Sequence, residues 1–141
     1  MEASTTQAYR IAKFGPWSEM DRHRAGTLQG KVFAREALGL TGCEVSLHRL
    51  PAGTGMPFLH AHRQNEEVYL VVSGEGTFHL DGLETAVSEG DVLRVSPPVA
   101  RGFRAGRQDL CLVCIQAKEG SLEQATRDDG FLLDAKASWM A

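Results

Sequence analysis

Residues 60–76 read HAHRQNEEVYLVVSGEG, and the fold turns on how this stretch is taken. Its centre, EVYLVVS (67–73), is rich in β-branched and aromatic residues, which suit a pleated strand. Gly74 and Gly76 then mark a turn. Ahead of the strand, MPFLHAH (56–62) is extended, because Pro57 excludes a helix. On extended backbone, side chains two apart face the same way, so His60 and His62 share a face, with Cα atoms about 6–7 Å apart. Phe58 has the same parity. Two such imidazoles can converge on one ion at the roughly 2.0–2.1 Å that zinc requires. A carboxylate from the next strand would complete a two-histidine, one-carboxylate set with open positions, which suits Zn, Fe(II), Mn or Ni. Glu66 and Glu67 are both placed for this. They point to opposite faces of the strand, so only one can reach the ion.

Working outward, the pattern is short strands and turns. CEVSLHRL (43–50) alternates, with Cys43, Val45 and Leu47 on one face and Glu44, Ser46 and His48 on the other. TFHL (77–80) is followed by Asp81-Gly82, a strong hairpin signal. ETAV, DVLRV, ARGFRA and LCLVCIQA follow, each set off by glycine, proline or acidic residues. Together with KVFARE (31–36), this predicts about eight or nine strands and an all-β sandwich or barrel. The expected division is an N-terminal arm over 1–30, a barrel over 31–118, and a tail over 119–141 that packs on the barrel. Ser121 and Gln124 have capping-box spacing and are expected to open one short helix in that tail.

A chain of 141 residues fits one domain. Its net charge of −3 argues against nucleic acid as a partner, since phosphate binding needs a basic face. No apolar run is long enough to cross a bilayer, and no basic-then-apolar leader is visible, so a cytoplasmic protein is expected. Three cysteines, Cys43, Cys111 and Cys114, imply no disulfide framework. Cys111 and Cys114 spell C-x-x-C, but inside an apolar strand, where they read as packing residues. Trp17 and Trp139 read as anchors for the arm and the tail.

HAHRQNEEVYLVVSG resembles the first motif of the cupin family, and GDVLRVSPPVARGFRA (90–105) resembles the second. The likeness spans residues 43–116. It implies a double-stranded β-helix, a small barrel with a pocket at one mouth. Because six residues separate the family's glutamate from a glycine, here Gly74, the resemblance assigns the ligand to Glu67 and leaves Glu66 to solvent or an interface. Tyr69 then shares the inward face of Glu67. Cupins often pair through N-terminal segments, so a homodimer is expected. Where the family carries a fourth ligand, a histidine, this sequence has Arg101, and a guanidinium has no lone pair to offer. Three arrangements follow. Arg101 grips an anionic ligand beside a metal held by His60, His62 and Glu67. Or it pairs with Glu67 in place of the metal. Or it turns outward from a weak metal site. Phe103, two residues from Arg101, is expected as a pocket wall with Phe58 and Tyr69, and His79 as a further pocket group. The resemblance implies a divalent metal and a small, anionic ligand, with oxygenase, isomerase and decarboxylase chemistry all known on this fold. A metal-free ligand-binding or sensory module is the alternative.

Overall fold

The structure is a computed structural model that describes residues 2–5, 8–124 and 126–141, with side chains from residue 8 onward. Met1, Thr6 and Gln7 of the expected arm, and Ala125 of the expected tail helix, lie outside the described residues. In chain order the elements are β1 (Glu2–Thr5), β2 (Arg10–Lys13), a 3-10 turn (Trp17–Arg22), β3 (Arg24–Ala25), β4 (Leu28–Gln29), β5 (Lys31–Phe33) and α1 (Arg35–Leu38). Then come β6 (Glu44–Leu50), β7 (Asn65–Ser73), β8 (Glu75–Leu80), β9 (Leu83–Ser88), β10 (Val92–Val95), β11 (Arg101–Ala105), β12 (Leu110–Lys118) and α2 (Thr126–Asp129).

Two antiparallel sheets face each other, as the all-β reading expects. One has five strands in the order β10-β7-β12-β6-β5, the other three in the order β11-β8-β9. Strand alternation decides what lies between them. β7 turns Glu67, Tyr69 and Val71 inward. β6 contributes Ser46, His48 and Leu50, and β12 contributes Leu110, Leu112 and Cys114. Phe78 and Phe103 close the opposite wall, stacked at 5.1 Å between ring centroids, with Tyr69 edge-on to both.

The register sorts these residues by polarity along the strands. Leu50 lies opposite Leu110 at one end, whereas Ser46 lies opposite Cys114 and Gln116 opposite Glu67 at the other. One end of the barrel is therefore a dry core of Leu50, Val71, Phe78, Leu110 and Leu112, and the other is a polar mouth. Gly74 makes the β7–β8 turn in the left-handed region at φ +85, and a side chain there would run into the Asp109 carbonyl. Asp81 and Gly82 both have positive φ and close the β8–β9 hairpin between Leu80 and Leu83.

Several local expectations are corrected. The arm carries short strands of its own: β1 pairs with β2, β3 with β4, and the 3-10 turn lies between the two pairs. KVFARE is strand only as far as Phe33. Arg35–Leu38 forms a turn of helix, because Glu44 accepts a hydrogen bond from the Arg35 amide at 2.8 Å and Gly39 caps it in the left-handed region. Ser121 and Gln124 are not helical, and α2 begins at Thr126. Among the described residues of the tail, Phe131, Leu132, Leu133 and Trp139 are all at least 72 % exposed and do not pack on the barrel of their own chain. Trp139 is thus no anchor within the single chain. No helix among the described residues is long and apolar enough to cross a membrane.

Candidate metal centre and ligand pocket

Glu67 sits in the polar mouth, 3 % exposed, and its carboxylate is gripped from several sides. The Tyr69 hydroxyl donates to Oε1 at 2.6 Å, the Arg101 Nη1 donates to Oε1 at 2.6 Å, and the Cys114 thiol donates to Oε2 at 3.1 Å. Burial alone would raise the Glu67 carboxyl. The groups around it, His60, Tyr69, Arg101 and Cys114, outweigh burial and hold it well below the usual carboxylate range. Burial, reinforced by the Glu67 charge, pushes the Tyr69 hydroxyl and the Cys114 thiol upward, so both remain protonated donors. Glu66, one residue away, points outward and pairs with Arg94 at 2.8 Å.

The histidines arrive on the β6–β7 connection. That segment lies against β11 through isolated bridges at Gly55–Arg104 and His60–Arg101. The His60 amide donates to the Arg101 carbonyl at 3.0 Å, and the Arg101 amide returns the bond at 2.9 Å. His60 Nε2 lies 3.7 Å from Glu67 Oε1, and His62 Nε2 lies 3.4 Å from Glu67 Oε2. The three ligand atoms fall within 4.8 Å of one another. Two atoms bound to one ion at about 2.1 Å and a tetrahedral angle stand roughly 3.4 Å apart, so the spacing suits a shared ion. His62 Nε2 is buried and has no hydrogen-bond partner. Burial lowers the His62 pKa, which keeps its ring neutral and its lone pair available. Residues His60, His62 and Glu67 therefore fit a divalent metal on donor type and spacing.

Arg101 is fully buried behind Glu67. Its Nε donates to Val99 O at 2.9 Å, and its Nη2 donates to Ser96 O at 2.6 Å and Pro97 O at 3.0 Å. Of the three arrangements read from the sequence, the outward one is excluded. The direct grip on a ligand also fails, because no part of the guanidinium reaches the cavity. Arg101 is paired with Glu67 while both histidines still face that carboxylate.

The cavity in front of Glu67 measures about 220 Å³. Tyr69 and Phe103 form its inner wall, and Phe58 stands at its rim, edge-on to His60 with 6.2 Å between centroids. His79 is misplaced by the sequence reading. Phe78 takes the inward position on β8, so His79 faces out, into a separate hollow of about 480 Å³ shared with Thr77, Glu84 and Arg104. Its Nε2 accepts from the Gly82 amide at 3.0 Å and ties the hairpin turn.

Three pocket groups escaped the sequence reading. Cys114, taken as packing, touches the carboxylate. His48, taken as an ordinary strand residue, is 4 % exposed, bonded to Ser46 Oγ at 2.9 Å and edge-on to Phe103. Burial first, then the nearby Lys31 charge, lowers its pKa to about 3, so it is neutral. Lys31 also lines the cavity. The signal for His48 was the alternation of β6, which puts it on the face of Ser46; Lys31 lay beyond any motif.

A family model, the cupin domain, matches residues 46–116, which include every candidate metal ligand. This chain belongs to the cupin family. No curated protein matches it. Among solved structures, a cupin protein from Bacteroides fragilis is 41 % identical, covers 79 % of this chain and 93 % of its own, and superposes with a TM-score of 0.71. A protein described as a predicted oxalate decarboxylase from Thermotoga maritima is 27 % identical, covering 52 % of this cupin and 64 % of its own chain at a TM-score of 0.50. A sugar phosphate isomerase of the cupin superfamily from Silicibacter pomeroyi, at 22 % identity, covers 62 % of this chain and 58 % of its own, with a TM-score of 0.55, and supports the fold alone.

Proposed function

We propose that this cupin holds one divalent metal on His60, His62 and Glu67 and binds a small anionic molecule in the cavity in front of it. The observation that carries this reading is the buried, unpartnered His62 Nε2, 3.4 Å from Glu67 Oε2. A buried imidazole nitrogen with no hydrogen-bond partner is costly unless a ligand engages it. A bound divalent ion would supply Lewis acidity toward an oxygen of the ligand. The chain's own residues do the rest. Arg101 stands where the family carries its fourth histidine and acts on Glu67 instead of on the ion. With Tyr69 and Cys114 it fixes the carboxylate's orientation. It also offsets the carboxylate's charge, so the ion's positive charge stays largely uncompensated and favours an anionic ligand. The oxalate named for the Thermotoga maritima neighbour is such an anion.

A second reading has its own observation, the 2.6 Å contact between Arg101 Nη1 and Glu67 Oε1. On it, Arg101 replaces the metal and the pocket binds an anion without one. Metal content by plasma mass spectrometry on untagged protein separates the two. About one ion per chain, lost in a His60→Ala, His62→Ala variant, supports the first. No ion after exposure to Zn, Fe(II), Mn and Ni leaves the second. We also propose that two copies pair; the exposed Phe131, Leu132, Leu133 and Trp139 support this, and light scattering after gel filtration tests it.

A further inference from the structure

Lys31 opens β5, the edge strand of the five-stranded sheet, and sits opposite His48 in register, so its side chain turns to the cavity side. It is half-buried. Among the described residues it has no ion-pair partner and no side-chain hydrogen bond. Its Nζ stands 4.6 Å from the centroid of Phe33, a contact that holds the ammonium at the mouth. Burial pulls its pKa down, and the acidic groups of the pocket oppose that pull. Lysines withdrawn from water normally meet an acid. The acid within this cavity, Glu67, is already satisfied by Arg101, Tyr69 and Cys114. The cavity's buried histidine, His48, is hydrogen-bonded to Ser46 and neutral. Lys31 is thus an unspent positive charge at the entrance to a closed set of partners.

We infer that Lys31 receives the carboxylate of a small organic acid whose apolar body rests on Phe33, Phe58 and Met56. The inference deepens the proposed anion-binding role of this cavity and rests on it. A carboxylate is favoured over a phosphate ester for two reasons. A single ammonium matches one negative charge, whereas a phosphate ester carries close to two. Phosphate sites also draw on arginine forks or clustered backbone amides, and no arginine lines this cavity. The volume of about 220 Å³ falls below the usual range for drug-sized ligands, which points to a compact acid.

The test uses three probes of similar shape: benzoate, neutral benzamide and phenyl phosphate. Each is titrated calorimetrically into metal-free protein and into protein exposed to Co(II), whose visible absorption reports the metal separately. The expected result is that benzoate binds at least tenfold more tightly than benzamide and more tightly than phenyl phosphate. Lys31→Met should lower benzoate affinity at least tenfold and leave benzamide and Co(II) affinity in place, and Lys31→Arg should recover most of the loss. Equal benzoate affinity in wild type and Lys31→Met overturns the inference, as does a preference for phenyl phosphate or no benzoate binding in either form. Absence of a Co(II) spectrum with Lys31-dependent benzoate binding retained would sink the metal reading and keep Lys31 as the acid-binding group.

Discussion

Arg101 and Glu67 meet at 2.6 Å with 0 % and 3 % of their side chains exposed, an ion pair withdrawn almost completely from water. Arg101→Met strands the Glu67 charge and frees the carbonyls of Ser96, Pro97 and Val99. It should cost about 3–5 kcal/mol of stability, the usual result of breaking one side of a buried pair. The Arg101→Met, Glu67→Gln double variant should recover a substantial part, because no unpaired charge remains. Urea unfolding of the three proteins gives the coupling. A loss below about 1 kcal/mol in the single variant would show that the pair is not desolvated as described.

Acid should lower stability over two overlapping pH ranges. The folded pKa of His48 is lowered to about 3, so between pH 6.5 and 3 the unfolded chain binds a proton that the folded chain refuses. Stability is therefore full above pH 6.5 and falls as pH drops. Glu67 is also depressed, so its contribution is present above the ordinary carboxylate value of 4.5 and is lost progressively below it. Each group contributes a slope of at most about 1.4 kcal/mol per pH unit. Urea midpoints at pH 7, 5.5, 4.5 and 3.5 should fall throughout. His48→Gln should flatten the upper part of the curve and Glu67→Gln the lower.

Metal should stabilise the fold by mass action. Zn or Ni at a hundred times its Kd should add about 2.7 kcal/mol and raise Tm by several degrees. His62→Ala should abolish the shift, and chelation should reverse it in the parent. A Tm unmoved by any of the four metals would count against the three-ligand centre.

One arginine ties the 3-10 turn of the arm to the barrel. Arg49 donates to Asp109 Oδ2 at 2.7 Å and to the Ser18 carbonyl at 2.7 Å, while Asp109 Oδ1 accepts from the Ala52 amide at 2.8 Å. Arg49→Met should cost only about 1 kcal/mol in global stability, since the group is partly exposed. It should instead speed trypsin cleavage after Arg22 and Arg24, which follows local opening of the 3-10 turn. Unchanged cleavage would mean that the arm is held elsewhere.

The barrel was legible because its strands carry two-residue alternation and its turns carry chemistry such as Asp81-Gly82. The same alternation put His60 and His62 on one face. The motif spacing separated Glu67 from Glu66. What stayed hidden depends on side-chain partners, strand facing and strand pairing that the motif spacing does not encode. Whether Arg101 opens to the cavity or hides behind Glu67 is set by the carbonyls of residues 96–99, which no local pattern announces. His79 has the look of a pocket histidine until Phe78 claims the inward place. Lys31 reaches the site only because β5 is laid beside β6 in a register that no stretch of sequence near the motif records.

Gly102 has a reach well beyond its size. Between Arg101 and Phe103 it lets the segment of Phe58 and Leu59 lie directly on β11, and a methyl group there would fall 2.8 Å from the Leu59 side chain. The same segment delivers both histidines. A single added carbon, carrying no charge, would turn the exposed Leu59 side chain aside and press on the Phe58 carbonyl at 3.3 Å. The seating of the histidine-bearing segment on β11 is therefore sensitive to bulk at one backbone position that faces away from Glu67.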